Sequence, residues 1–358
     1  MALLGELIAG AAFGTALLTS GASSPAVILS QLQLTDFHML QTLLGASALS
    51  AILVYIADST HYAPMRLRRP QNLGPFPYDG NVVGGSLIGA GMALTGACPG
   101  TALVQSATGV PSGAYVLLGC VLGGLGYVTL QPVSSRVPTV TAADEGKVQD
   151  SKDSDSTAVI SISVSTAPAT LQASLGLSTA ATLVAYEAAC VLVLAATARY
   201  GARTEQKAGL INPLYSGVLI GAAQATKLLL TRRAIGCSGA YEAVGRWLQQ
   251  LTGRFDKGRG SAAEKLRSLF TPTVVFAVGI TAGSALAGCF YEAPKAALVA
   301  NVSESTAVLG GVAMGFGGLI AGGCTSGHGI SGIVTFSLAS FVSVAAMFGS
   351  GVLTSALL

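Results

Sequence analysis

Long apolar runs with very few charges constrain this chain more than any other feature of its sequence. Runs at 40–56, 113–130, 175–196 and 273–290 reach the roughly 17–25 residues that cross a bilayer core. Only 10% of all residues are charged, whereas soluble domains carry about 25%. We therefore predict an all-α polytopic protein, multi-pass in the cell membrane, with length for roughly eight or nine such segments. The net charge of +3 comes from short basic loops and does not indicate nucleic-acid binding.

The N-terminal segment and the cysteines each support one further expectation. The first apolar run lacks a preceding basic region, so 1–20 is expected to belong to the mature protein rather than to a signal peptide. The cysteines lie in or beside apolar segments, which argues against a secreted disulfide framework. Three of them are expected to act as small buried hydrophobes: Cys120, Cys190 and Cys289.

A polar segment at 131–170 divides the chain. It has no aromatic residue, eight serines and interspersed charges of both signs, so it cannot bury enough apolar surface to order itself. We predict a flexible linker there, with a short strand at 159–164 as its one hint of structure. The domain boundaries follow: 1–130 is the first membrane half and 171–358 is the second.

Glycines and cysteines recur at the same offsets in both halves. The copies are Gly85, Gly89, Gly96 and Cys98, then Gly311, Gly315, Gly322 and Cys324, then Gly10, Gly14 and Gly21 with Ser23 at the cysteine offset. Gly217 and Gly221 open a fourth copy whose later offsets are lost. Small residues at this spacing let helices pack closely, and internal repeats with interrupted helices are typical of transporters. We predict two related halves with Gly-rich broken or re-entrant helices, because freed backbone groups need protein or water around them at membrane depth.

Loop charge predicts the orientation. Three basic regions are expected on the cytoplasmic side: Arg66 with Arg68 and Arg69, Arg199 with Arg203 and Lys207, and 246–267. The linker and 294–305, which contains a glycosylation sequon at Asn301, are expected on the opposite side. These assignments agree only if 81–106 and 212–241 each enter and return to the same face, as re-entrant hairpins do.

The first polar motif is Thr95-Gly96-Ala97-Cys98-Pro99-Gly100-Thr101. Pro99 ends one helix and suits the first turn of the next. The Cys98 thiol is therefore expected at a helix N-terminus, where free N–H groups and the helix dipole favour an anion.

The second motif is Gly322-Gly323-Cys324-Thr325-Ser326-Gly327-His328-Gly329, which is too polar and flexible to face lipid. His328 and Cys324 could form half of a metal site, but a second ligand pair at metal spacing is missing. We expect His328 instead to shape the end of a pore or to add positive charge at low pH.

These two motifs resemble the paired signatures of the YeeE/YedE sulfur-transport family, Gly-Ala-Cys-Pro-Gly and Gly-Gly-Cys-Thr-Ser-Gly-His-Gly. The resemblance covers both membrane halves and implies thiosulfate uptake, without a cofactor, along a narrow path in which thiols hydrogen-bond to sulfur. That role falls on Cys98 and Cys324. Some members hold a further cysteine in the path; Ser23 occupies the corresponding offset here, so Cys237 is the substitute candidate. The long Ser-rich linker departs from the compact bacterial pattern.

The chemistry of thiosulfate agrees with this resemblance. It is a doubly charged oxyanion with one soft terminal sulfur, which a weak S–H donor suits better than it suits a sulfate oxygen. The predicted substrate-binding residues are Cys98, Cys237, Cys324, Gly96, Gly100, Thr101, Gly323, Thr325, Ser326 and His328. The predicted partners are a small anionic sulfur substrate, the lipid bilayer and a soluble sulfur-handling protein on the cytoplasmic side.

Alternatives from other classes are open. A membrane oxidoreductase exchanging disulfides or persulfides with a quinone or a soluble carrier would want a close cysteine pair such as Cys-x-x-Cys, which the sequence lacks. A structural or receptor protein would not need the paired polar motifs. Glu187 and Lys227 interrupt apolar runs; such residues are functional candidates by default, or snorkel from a helix end, or pair with each other.

Overall fold

The computed structural model describes residues 2–63, 67–74, 76–130, 170–200, 211–251, 268–291 and 302–358. Within these ranges the chain is helical, and the predicted all-α membrane fold is confirmed. The helices are α1 (Ala2–Thr19), α2 (Pro25–Leu32), α3 (His38–Ser59), α4 (Asp79–Thr95), α5 (Thr101–Ala107), α6 (Gly113–Leu130), α7 (Leu171–Leu175), α8 (Thr179–Tyr200), α9 (Pro213–Thr231), α10 (Ser238–Leu251), α11 (Pro272–Gly288), α12 (Glu304–Ile320), α13 (Thr325–Gly329) and α14 (Leu338–Leu357). A 3-10 turn, Ile333–Thr335, precedes α14.

The apolar runs match helices well, with one displacement. The run 113–130 coincides with α6, and 40–56 lies inside α3. The run 175–196 is shifted, because Gly176 ends the short helix α7 in the left-handed conformation and α8 begins only at Thr179. Among the described residues, five helices are long and apolar enough to cross a bilayer, or six if the bent pair α12 and α13 is one span. This is fewer than the eight or nine predicted; α11 is also apolar but shorter, with 17 residues.

Four of the long helices are interrupted and continue, after a short break, as a second helix. We name the connections break one (20–24, between α1 and α2), break two (96–100, between α4 and α5), break three (232–237, between α9 and α10) and break four (321–324, between α12 and α13). Each break contains a residue with positive φ: Gly21 at 72°, Gly96 at 61°, Arg232 at 55° and Gly322 at 75°. A left-handed residue ends an α-helix by redirecting the chain.

Break three follows the helix that carries the fourth glycine pattern, Gly217 and Gly221. Arg232 lies 15 residues after Gly217, four more than the 11 residues that separate Gly85 from Gly96. The left-handed residue therefore comes about one helical turn later and is not glycine, and Arg232 lies over the ring of Tyr62 at 4.8 Å. Cys237 lies five residues after Arg232, whereas Cys98 lies two residues after Gly96. These longer spacings hide the pattern in the sequence.

Each interrupted helix packs against an uninterrupted one through its spaced glycines. The pairs are α1 with α11, α4 with α14, α9 with α3, and α12 with α6. A methyl group on Gly14 would collide with the carbonyl oxygen of Ile280, and one on Gly89 with that of Met347. The small-residue spacing thus brings backbones into contact, which fixes where each interrupted helix ends and holds its break in place.

Several sequence predictions lie outside the described residues. These are the body of the linker (131–169) with its strand at 159–164, the sequon at Asn301, and the basic positions Arg66, Arg203 and Lys207. Arg199 lies in the last turn of α8. Arg246 lies within α10 rather than in a loop, and it pairs with Glu242 at 2.6 Å. The relation between the two halves and the flexibility of the linker stay predictions.

Candidate functional site

The four breaks meet, because buried side chains connect them in pairs. Gln105 donates from Nε2 to the carbonyl oxygens of Ser23 and Gly96, both at 2.9 Å, which joins breaks one and two. Ser331 donates to the carbonyl oxygen of Ile235 at 2.7 Å, which joins break three to the segment after break four. The hydroxyl of Tyr241 donates to the carbonyl oxygen of Pro99 and joins α10 to break two. None of these connecting side chains was singled out from the sequence.

Break two holds Cys98 beside Thr101. The backbone N–H of Cys98 donates to Thr101 Oγ1 at 2.7 Å. In turn, the Thr101 N–H and hydroxyl both lie 3.4 Å from Cys98 Sγ. The thiol is therefore fixed by two donors at the start of α5 and is 7% exposed. The left-handed residue Gly96 redirects the chain, so that Cys98 points into the protein rather than continuing the face of α4.

Breaks three and four place two further cysteines in contact. The Sγ atoms of Cys237 and Cys324 are 3.4 Å apart, and Ser326 Oγ lies 3.3 Å from Cys324 Sγ. Both cysteines are 0% exposed. The separation is far longer than the roughly 2.05 Å of a disulfide, so these are two free thiols side by side.

Gly100 connects the two groups of thiols. A methyl group on Gly100 would lie 3.5 Å from Cys237 Sγ and 3.9 Å from Cys98 Sγ. The absence of a side chain there lets the three sulfur atoms follow one another across the meeting point of breaks two, three and four. We call Cys98, Cys237 and Cys324 the sulfur row. Sequence offsets predicted two of its members, and the third, Cys237, was the substitute candidate that the fold brings beside Cys324.

A small cavity adjoins the row. Its volume is about 50 Å³, and its wall is mostly apolar, with Phe13, Met39 and Met347 among its members. This exceeds the roughly 10–15 Å³ that one water molecule needs. The sequence-predicted residues in its wall are Cys98, Gly100, Thr101, Thr325 and Ser326. The wall does not include Cys237, Cys324, Gly96, Gly323 or His328.

His328 braces break four. Its Nδ1 lies 3.0 Å from Ser340 Oγ and its Nε2 lies 3.1 Å from the carbonyl oxygen of Ala321. The side chain is only 1% exposed. A methyl group on Gly323 would lie 2.8 Å from His328 Nε2, so this glycine makes room for the ring. Among the described residues no group of three or more His, Cys, Asp or Glu could hold a metal ion.

Arg68 is a site neighbour that sequence reasoning counted only as a topology signal. It lies in the segment 67–74 between α3 and α4, yet its Nη1 donates to the carbonyl oxygen of Gly322 at 2.5 Å. Burial lowers the pKa of Arg68. The guanidinium keeps its charge at neutral pH, because the pKa of arginine starts above 12.

Two sequence expectations about other polar or reactive residues need correction. Lys227 does not pair with Glu187: its Nζ lies 2.9 Å from Glu6 Oε2 and 3.2 Å from the ring centroid of Phe276. Both charges of this pair are buried, which is tolerable only because each compensates the other. Glu187 is half-buried on α8. Cys289 is exposed rather than buried, because it caps α11, whereas Cys120 and Cys190 are buried as expected.

Comparison with known proteins gives a consistent result. The family model described as Sulphur transport matches residues 19–354. A protein named "Probable transporter" from Xylella fastidiosa is 32% identical over 143 residues, which are 40% of this chain and 90% of that protein. The corresponding protein of a second Xylella fastidiosa strain matches to the same extent.

Proposed function

This chain belongs to the sulphur-transport family, and on that premise we propose that it is a permease for thiosulfate whose sulfur row relays the substrate by hydrogen bonding. The observation that carries the proposal is the contact between breaks two, three and four, which brings three free thiols together inside a helical membrane protein. Structural cysteines do not require such an arrangement, since each alone packs as a small hydrophobe.

The donors available at the row fit the two ends of thiosulfate. Thiols offer weak S–H donors to a soft terminal sulfur. The hydroxyls of Thr101, Thr325 and Ser326 lie in the cavity wall next to Cys98 and offer stronger donors to the sulfonate oxygens. An anion that leaves water loses several kcal/mol of solvation unless donors replace its hydration shell. The mixture of thiols and hydroxyls supplies this replacement and favours a substrate that carries both sulfur and oxygen.

The shape of the site supports stepwise passage. The cavity has room for only a few water molecules, and Cys237 and Cys324 are fully buried outside its wall. A substrate would move from one donor group to the next while the surrounding breaks adjust. Short breaks between helices, rather than helix interiors, are the elements able to adjust, because their backbone groups are not all committed to helical hydrogen bonds.

Radiolabelled thiosulfate uptake into proteoliposomes that contain the full chain tests the proposal. We expect saturable uptake that unlabelled thiosulfate suppresses and that an equal concentration of sulfate leaves largely unchanged, because sulfate lacks the terminal sulfur. Liposomes without protein are the control. Uptake no faster than in those liposomes, or equal suppression by sulfate, would reject thiosulfate as the substrate.

One observation favours a second function, thiol or persulfide exchange with a carrier. The close cysteine pair that the sequence lacks as Cys-x-x-Cys exists in space as Cys237 and Cys324, at 3.4 Å. Against it, both thiols are 0% exposed, so a protein carrier has no surface thiol to attack there. An exchange enzyme would consume a thiol carrier in detergent solution, without a membrane, whereas a permease would not.

A further inference from the structure

Arg68 is held firmly although it lies between helices. Ser337 Oγ donates to the Arg68 carbonyl oxygen at 2.8 Å. The same segment is fixed to α4, since the Gln71 N–H donates to Asn81 Oδ1 at 2.8 Å and the Gly74 N–H donates to an Asp79 carboxylate oxygen at 2.8 Å. The backbone that carries the Arg68 side chain is therefore held in place by the fold.

The guanidinium lies in a notch formed by the two breaks that carry Cys237 and Cys324. A methyl group on Gly327 would lie 3.2 Å from Arg68 Nη2, and one on Gly236 would lie 3.6 Å from the same atom. The methyl group on Gly327 would also be 3.8 Å from Cys324 Sγ. A single glycine, Gly327, thus separates the charge from the end of the sulfur row, and a side chain there would press against the guanidinium.

The charge in this notch lacks a counter-ion in the part of the chain that the structure describes, where no carboxylate lies within 4.0 Å of the Arg68 nitrogens. One N–H donates to Gly322, whereas a guanidinium offers five N–H groups in a planar fork that matches an oxyanion. An anion arriving beside Cys324 would supply both the missing charge and the missing acceptors.

We propose that Arg68 binds the sulfonate oxygens of the sulfur substrate at the end of the sulfur row, as a binding group between Cys324 and the aqueous phase. This inference rests on the proposed function and adds a residue outside both polar motifs. The opposing explanation is that Arg68 only holds break four to the segment 67–74 through Gly322. The two explanations differ in how transport depends on the face from which substrate enters.

Transport kinetics from both faces distinguish them. Right-side-out and inverted membrane vesicles would be prepared from bacteria that produce the full chain, with Arg68→Gln, Arg68→Lys and, as a matched control, Arg69→Gln at the exposed neighbouring position. Initial rates of radiolabelled thiosulfate transport are measured against concentration and normalised to the amount of correctly inserted protein. Basic-loop topology predicts that inverted vesicles present the Arg68 face to the medium.

For Arg68→Gln we expect KM to rise at least about tenfold from the Arg68 face, the size of a lost hydrogen bond to a charged group. A mutation cannot change the overall transport equilibrium, so Vmax/KM must fall equally from the other face. There we expect a lower Vmax with little change in KM. Arg68→Lys, which keeps the charge but loses the fork, should show a smaller rise in KM, and Arg69→Gln should match the unmodified protein.

An unchanged KM from both faces, with Vmax reduced alike, would show that Arg68 only holds the loops together and would overturn the inference while leaving the proposed function intact. Should Arg68→Gln fail to insert, Arg68→Lys decides by the same criterion, a KM rise confined to one face. If unmodified vesicles transport no thiosulfate from either face, the proposed function fails and this inference fails with it.

Discussion

Breaks one and two are built alike but have different residues two positions after the left-handed glycine. Both follow a helix with Gly-x-x-x-Gly spacing, and both turn through a left-handed glycine, Gly21 or Gly96. Two residues later break two has Cys98 and break one has Ser23. Cys98 Sγ belongs to the sulfur row, whereas Ser23 is buried and its carbonyl oxygen accepts a hydrogen bond from Gln105.

This difference shows that the backbone of a break and its chemistry are separable. The glycines determine where a helix ends and how closely it packs, whichever residue follows. Three of the four breaks supply a thiol, including break three, where Cys237 follows a longer connection that has no left-handed glycine. On the proposed function, break one contributes to the architecture alone, and breaks two, three and four contribute to both architecture and chemistry.

The largest effect is expected at the glycines through which the interrupted helices pack. Gly89→Leu should prevent correct folding, because even a methyl group there collides with the Met347 carbonyl oxygen of α14. Forcing a side chain between two backbones should cost at least about 3 kcal/mol. The measurement is the yield of monodisperse protein in detergent and its Tm. Gly349→Leu is the control on the partner helix, since no atom lies within 4 Å of a methyl group at that position; equal losses in both variants would refute the packing account.

The helices themselves could be predicted from the sequence, since apolar length and glycine spacing are local properties. α6 was predicted with its observed bounds, and the offsets of Gly85, Gly96 and Cys98 predicted break two. What could not be predicted depends on which elements meet. The contact of Cys237 with Cys324 joins positions 87 residues apart. The pairing of Lys227 with Glu6 rather than Glu187 depends on the packing of α1 against α9.

One smaller prediction was wrong, and one residue was assigned only part of its environment, for identifiable reasons. Cys289 follows an apolar run, and the sequence could not show that α11 ends at Gly288 and leaves this thiol exposed. Arg68 was classed with its neighbours Arg66 and Arg69 as a loop charge. Its role beside break four depends on the glycines around it, namely Gly236, Gly322, Gly323 and Gly327, and on where the fold places them.

A second pair of variants tests which breaks supply chemistry to the site. Cys237→Ala should lower thiosulfate uptake by about tenfold, the size of one lost hydrogen bond to an anion, because the middle of the row loses its donor. Ser23→Ala, at the matching offset of break one, should lower uptake by less than about twofold, since the carbonyl oxygen of Ser23 and not its hydroxyl accepts from Gln105. Uptake rates in proteoliposomes measure both. A larger loss for Ser23→Ala than for Cys237→Ala would reverse the assignment of chemistry to the breaks.

The smallest effect is expected far from the breaks. Replacing 131–169 with a Gly/Ser chain of equal length should leave uptake within about twofold, because its composition predicts a disordered tether. Halving it should also be tolerated, since loop closure changes by only about 0.6 kcal/mol per doubling of length. Thr170 is kept, as its hydroxyl accepts from the Ala173 N–H at the start of α7. Loss of uptake with a normal amount of membrane-inserted protein would show that the linker gates transport. Resistance of the segment to limited proteolysis would show that it docks onto the transporter.

The central claim, that substrate passes over the sulfur row, is tested most directly by removing the thiols at its two sides. Thiosulfate uptake is measured in proteoliposomes with Cys98→Ala, Cys324→Ala and, as the control, Cys190→Ala, which removes a buried thiol on α8 outside the row. We predict that each row variant loses at least about 100-fold in uptake, the upper range for a hydrogen bond to a charged group, with an unchanged elution profile in detergent, and that Cys190→Ala keeps most of its activity. Normal uptake by both row variants would contradict the relay.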